Sequence, residues 1–98
     1  MKTDFIEDGK GNVVLLIHST AAGNKQWRKL IEYLTPNNRV LAPNLFGYGA
    51  SPKWPGKRDQ SLSDQVDLLR RFFEQNESLS IVGHSFGGSV AMMAARQY

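Results

Sequence analysis

The sequence predicts an α/β domain: a parallel β-sheet with flanking helices on both faces, arranged as a three-layer α/β/α sandwich. Two observations lead there. Val13-Val14-Leu15-Leu16-Ile17, Arg39-Val40-Leu41-Ala42-Pro43 and Leu79-Ser80-Ile81-Val82-Gly83 are short aliphatic or β-branched runs, the habit of strands covered on both faces in a parallel sheet. Segments with helical spacing alternate with them, and that order calls for crossover helices packed on the sheet. In such a sheet the functional loops gather at the carboxyl ends of the strands.

The elements follow in order. Thr3 to Glu7 is a candidate edge strand, joined to the first long strand through the turn Gly9-Lys10-Gly11-Asn12. Val13 to Ile17 is the first buried strand, and a small-residue loop runs from Ser19 to Gly23. Trp27, Leu30, Ile31 and Leu34 recur at the spacing of an amphipathic helix. Thr35-Pro36-Asn37-Asn38 ends it, because a residue before proline avoids the helical region. Arg39 to Pro43 is the second buried strand, and the Gly- and Pro-rich stretch Asn44 to Gly56 is a long loop. Ser61 with Asp64 forms a variant capping box. It opens a helix whose inner face is Leu62, Val66, Leu69 and Phe73, with Asp67 and Arg71 paired outside. Leu79 to Gly83 is the third strand, and Phe86 to Tyr98 a helix with Val90, Ala91, Met93 and Ala94 inward.

Composition narrows the function. The chain has 98 residues, 41% hydrophobic and 21% charged, which is ordinary globular usage. It has no cysteine, so there is no disulfide, thiolate metal site or cysteine nucleophile. Only His18 and His84 are available as bases or metal ligands. The net charge of +3 is scattered; Lys53, Trp54, Lys57 and Arg58 form its densest patch, which reads as a solvated loop rather than a nucleic-acid surface. No run of ~18 apolar residues exists to span a membrane. The amino end is too acidic for a signal peptide, and Asn76-Glu77-Ser78 reads as a chance glycosylation sequon. The expectation is a soluble cytoplasmic protein without nucleic-acid or membrane partners.

The third strand runs straight into Gly83-His84-Ser85-Phe86-Gly87-Gly88. A Gly-x-Ser-x-Gly turn between a strand and a helix presents a serine at the tip of a sharp bend. The chemistry asks for this spacing. The serine needs strained torsions, and glycines two positions away let strand and helix approach without Cβ clashes. The hydroxyl then stands near the positive end of the following helix. The Phe86 backbone N–H stands there too, placed to stabilise an oxyanion. No Gly-Lys-Ser/Thr closes the turn as in a phosphate-binding loop, and no Gly-x-Gly-x-x-Gly follows the first strand.

Two further stretches accompany this turn: Leu15-Leu16-Ile17-His18-Ser19-Thr20, and Asn44-Leu45-Phe46-Gly47-Tyr48-Gly49-Ala50-Ser51. With all three in order, the sequence resembles the α/β-hydrolase superfamily, most of all its esterase, lipase and carbon–carbon hydrolase branch with a serine nucleophile. The first stretch is similar to the family's His-Gly-x loop and the second to its Asp-x-x-Gly-x-Gly-x-Ser loop. The resemblance implies that Ser85 is the nucleophile. It implies that the backbone N–H groups of Phe86 and Thr20 are the oxyanion donors, with Ala21 as the runner-up to Thr20. It gives supporting roles to His18, Ser19, Gly83, His84 and Gly87. His84 would point away from the hydroxyl, and His18 would hold its loop rather than move protons. Ser19 stands where the family usually has Gly, and Asn44 where it usually has Asp. No cofactor and no metal is implied. The substrate would be a small molecule with an acyl bond, an ester, thioester or amide.

A triad needs a base and an acid as well. In this fold both follow the serine, and the 13 residues after Ser85 contain no His, Asp or Glu. Residues 1–98 are therefore expected to be the amino-terminal part of a single larger α/β-hydrolase domain, without its lid and carboxyl-terminal part. The Val40 strand and the strand before Ser85 would then expose apolar surface, and the chain alone would be marginal and prone to aggregate. The alternative is a degenerate, catalytically inactive hydrolase fold serving as a binding or interaction module.

Overall fold

The structure, a computed structural model, describes residues 2–98. Its elements are β1 (Phe5–Asp8), β2 (Asn12–Ile17), a 3₁₀ turn (Gly23–Trp27), α1 (Arg28–Leu34), β3 (Asn38–Pro43), α2 (Leu62–Leu68), α3 (Arg70–Glu74), β4 (Leu79–Gly83) and α4 (Phe86–Gln97). The strands form one sheet in the order β1-β3-β2-β4. β2 lies between β3 and β4 and runs parallel to both, with Leu15 opposite Leu41 on one side and Ile81 on the other.

The sheet is mixed rather than purely parallel, because β1 runs antiparallel to β3, with Phe5 opposite Pro43 and Asp8 opposite Val40. β1 is an edge strand as expected but starts two residues later. The two residues before it are used as ties instead. Thr3 Oγ1 donates to the Leu68 carbonyl at 3.0 Å, and the Asp4 N–H donates to Ser51 Oγ at 3.0 Å. β1 also changes the expectation for the Val40 strand. With β1 on one side and β2 on the other, Val40 is wholly buried.

Alternation along β2 divides the core. Leu16 points to one face, where Trp27, Ile31, Val40 and Ala42 pack under the 3₁₀ turn and α1. Leu15 and Ile17 point to the other face, among Leu41, Leu45, Val66, Leu69, Phe72, Val90 and Ala94. Helices thus flank both faces. β4 closes neither its edge nor its α1-side face: Val82 is 38% exposed and Ser80 is exposed. The exposed apolar surface foreseen for the strand before Ser85 is therefore present.

The second helix differs from the sequence reading. Leu69, at φ −94°, ψ 2°, interrupts it and divides it into α2 and α3. The interruption turns Phe72 inward in place of Phe73, so Phe72 is buried and stands edge-on to Phe5. Arg71 is drawn onto the Phe5 and Phe72 rings, 4.4 and 5.0 Å from their centroids. Asp67 therefore pairs with Arg70 at 3.1 Å and not with Arg71. Among the described residues no helix is long and apolar enough to cross a membrane.

Candidate functional site

Ser85 stands between β4 and α4 at φ 56°, ψ −117°, and among the described residues it is the one non-glycine with positive φ. Such torsions cost of order 1–3 kcal/mol and persist where packing holds them. The packing is visible on both sides. A Cβ on Gly83 would lie under 3.0 Å from the backbone of Gly87 and Gly88. One on Gly87 would run into the carbonyls of Ile17 and His18. Helix α4 therefore starts flush against the ends of β4 and β2, and the His84 N–H donates to the Ile17 carbonyl at 3.2 Å. A serine at a helix N-cap ordinarily accepts a bond from the first turn. The Ser85 side chain makes no such cap bond, so its hydroxyl is left uncommitted at the positive end of a twelve-residue helix.

Three side chains, His18, Tyr48 and Gln26, fix the Ser19–Thr20 loop beside this turn. His18 is fully buried. Its Nε2 accepts the Leu45 N–H at 3.0 Å, which leaves the proton on Nδ1, and Nδ1 donates to the Ser19 carbonyl at 2.7 Å. A trans peptide points its N–H opposite to its C=O. By holding the Ser19 carbonyl, His18 thus also orients the Thr20 N–H of the same peptide unit. Tyr48 donates its hydroxyl to the Thr20 carbonyl and packs edge-on to His18, with ring centroids 4.5 Å apart. It orients the Ala21 N–H in the same way. The N–H groups of Thr20, Ala21 and Phe86 meet no backbone acceptor among the described residues. Burial pushes the His18 pKa down, opposed by its bond to Ser19. His84 points to Gln26, whose Nε2 lies 2.7 Å from His84 Nδ1. Among the described residues neither histidine is bonded to Ser85.

Below the loop lies a polar cluster that the sequence did not reveal. Asn44 Oδ1 accepts the Asn24 N–H at 2.7 Å, and Asn44 Nδ2 donates to Asp4 Oδ2 at 2.9 Å. Asn24 Nδ2 donates to the Ala42 carbonyl at 2.9 Å. Asp4 also accepts the Ala50 N–H at 2.9 Å; these two donors, Ala50 first, hold its carboxyl below the usual range. An amide at position 44 can serve an N–H donor and a carboxylate acceptor at once, which a carboxylate there could not. Gln65, also buried, accepts the Phe46 N–H at 3.2 Å. Polar residues like these carry no periodicity, and their partners lie 18 to 46 residues away. Among the described residues no three His, Asp or Glu side chains gather to hold a metal ion.

Comparison with known proteins agrees with the fold. A family model described as alpha/beta hydrolase fold matches residues 12–98. The chain is 32% identical over 97 residues to 2-hydroxy-6-oxo-6-(2'-aminophenyl)hexa-2,4-dienoic acid hydrolase of Metapseudomonas resinovorans, covering 94% of this chain and 33% of that protein. Among solved structures, a thermophilic esterase from Thermogutta terrifontis superposes with a TM-score of 0.85 at 30% identity, over 98% of this chain and 36% of the other. An epoxide hydrolase from Bacillus megaterium superposes with a TM-score of 0.87 at 25% identity, over 98% and 34%. The chain thus spans about a third of the length of these relatives.

Proposed function

The chain belongs to the alpha/beta hydrolase fold family, and from that premise we propose that it carries the nucleophile and oxyanion loop of a serine hydrolase acting on small molecules with an ester, thioester, amide or similar acyl bond. The observation that carries the reading is Ser85 itself: a strained, uncapped serine locked between two glycines that have no room for a Cβ. Ser85 Oγ attacks the carbonyl carbon, and its proton passes to a histidine base. The carbonyl oxygen becomes an oxyanion held by the N–H groups of Phe86 and Thr20. Collapse expels the leaving group with that proton, and water then releases the acyl group from Ser85. The chemistry needs no metal and no organic cofactor.

The base and its acid partner lie outside residues 1–98 in this reading, and these residues form the amino-terminal part of the domain. Both histidines here are already engaged elsewhere, His18 by Leu45 and Ser19 and His84 by Gln26. The 98 residues by themselves are then a folded scaffold without hydrolytic activity. In the protein that supplies the acid and base, a fluorophosphonate probe labels Ser85, and Ser85→Ala abolishes labelling. A folded protein of that kind whose Ser85 stays unlabelled refutes the proposal.

A further inference from the structure

We propose that Gln26 is a positioning residue that straps the Ser19–Thr20 loop to the turn holding Ser85 and sets the tautomer of His84. The inference deepens the reading of Thr20 and Ser85 given above and rests on it for its catalytic meaning. Its geometry stands separately. Gln26 Oε1 accepts the Ser19 N–H at 2.7 Å, and Gln26 Nε2 meets His84 Nδ1 at 2.7 Å. These bonds join residues 7 and 58 positions apart from Gln26. Among the described residues it is the one side-chain bridge between that loop and His84.

The chemistry of the amide leaves one arrangement. A backbone N–H can only donate, so the end of Gln26 facing Ser19 is the carbonyl oxygen. The end facing His84 is then the NH₂ group, which can only donate. His84 Nδ1 must accept it, and the ring proton of the neutral imidazole is placed on Nε2. His18 is held the other way, with its proton on Nδ1, by the donor at Leu45 and the acceptor at Ser19. The two histidines of one chain are thus fixed as opposite tautomers.

The root of the strap is rigid. Gln26 sits in the 3₁₀ turn between Asn24, which is bonded to Asn44 and Ala42, and the buried Trp27. Three groups hold the Ser19–Thr20 segment: Gln26 on the Ser19 N–H, His18 on the Ser19 carbonyl and Tyr48 on the Thr20 carbonyl. Of the three, Gln26 alone ties the loop to the residue preceding Ser85. Its part is to keep the distance between the Thr20 N–H and the Ser85 hydroxyl fixed as an acyl group enters.

The test uses the acid- and base-complete protein, with Gln26→Leu and Gln26→Glu. Nitrogen-15 NMR of the imidazole rings is expected to show His84 protonated on Nε2 and His18 on Nδ1. In Gln26→Leu the Ser19 amide should exchange with solvent about fivefold to tenfold faster, from the loss of one hydrogen bond. The His84 tautomer preference should disappear while His18 keeps its own. The fluorophosphonate labelling rate should fall about tenfold, less than the full loss of an oxyanion donor. Gln26→Glu keeps an acceptor for Ser19, so amide protection should return, whereas its second carboxylate oxygen should invert His84 to the Nδ1–H form. An unchanged Ser19 amide and an unchanged His84 tautomer in Gln26→Leu overturn the strap, whatever the labelling shows. Ring and amide signals as expected in a protein whose Ser85 never reacts refute the hydrolase reading and leave the strap standing.

Discussion

His18 is buried with both ring nitrogens engaged, and protonation would put a hydrogen on Nε2 against the Leu45 N–H. Its folded pKa lies below the ordinary ~6.5. The unfolded chain therefore binds more protons in the interval between the two values, and stability must fall as pH drops below about 6.5. Urea melts at stepwise pH should show that loss, and His18→Gln should flatten it. Two glycines offer a sharper contrast. Gly87→Ala drives a Cβ into the Ile17 and His18 carbonyls and should destabilise by about 3 kcal/mol or more, at the severe end for overpacking. At Gly88 a Cβ finds ordinary contacts, with the nearest atom at 3.6 Å. Gly88→Ala should thus be neutral or stabilise by up to about 1 kcal/mol. At Asn44 the matched pair with Asp4 decides the outcome. Asn44→Asp sets two carboxylates together and should destabilise by about 1–3 kcal/mol at neutral pH. Adding Asp4→Asn should restore most of that. Ser85 and His18 were legible in the sequence because each belongs to a local pattern tied to a strand end. The Asn44–Ser51 stretch was marked as well, but the partners of Gln26, Asn44 and Tyr48 were not, because His84, Asp4 and Thr20 lie far from them in the chain and no local pattern names such a partner.

Helix α2 shows how a short element is held at its start. Ser61 Oγ accepts the Asp64 N–H at 3.3 Å, and Asp64 Oδ2 accepts the Ser61 N–H at 2.7 Å. Arg58 clamps the same carboxylate through two nitrogens, at 2.7 and 2.8 Å. The Arg58 guanidinium, with the Ser61 N–H, holds the Asp64 carboxyl far below the usual range. That contribution is present above the ordinary carboxylate pKa of ~3.9 and vanishes in stronger acid, well below the His18 window. Ser61→Ala should cost about 1 kcal/mol, read as a lower urea midpoint with unchanged slope. This cap was legible, since Ser and Asp three apart before an apolar stripe carry their mechanism in the spacing. The three long strands were legible for a similar reason: each is a run of aliphatic residues with turn residues at its ends. The direction of β1 was not, because an edge strand pairs according to what lies beside it, and its partner β3 is some 35 residues away. The break at Leu69 was also hidden, with no Gly or Pro between Ser61 and Glu74 to announce it.

At the scale of the molecule the sheet is unevenly finished. β3 is sealed by β1 and β2, whereas β4 has an unpaired edge, a half-open face at Val82, and α4 carries Met92 at 77% exposure. Unpaired strand edges with apolar neighbours invite association. The 98 residues alone should self-associate with rising concentration, and Val82→Lys should shift the light-scattering mass toward the monomer. A monomeric chain at all concentrations would remove β4 as a sticky edge. The central claim concerns Ser85, and it is tested most directly by trapping the intermediate. The acid- and base-complete protein is mixed with an activated ester, quenched in acid and digested. The account predicts that the acyl mass appears on the peptide containing Ser85, and that it vanishes in Ser85→Ala while folding is retained. Ester turnover with the acyl group on another residue, or turnover that survives Ser85→Ala, would contradict it.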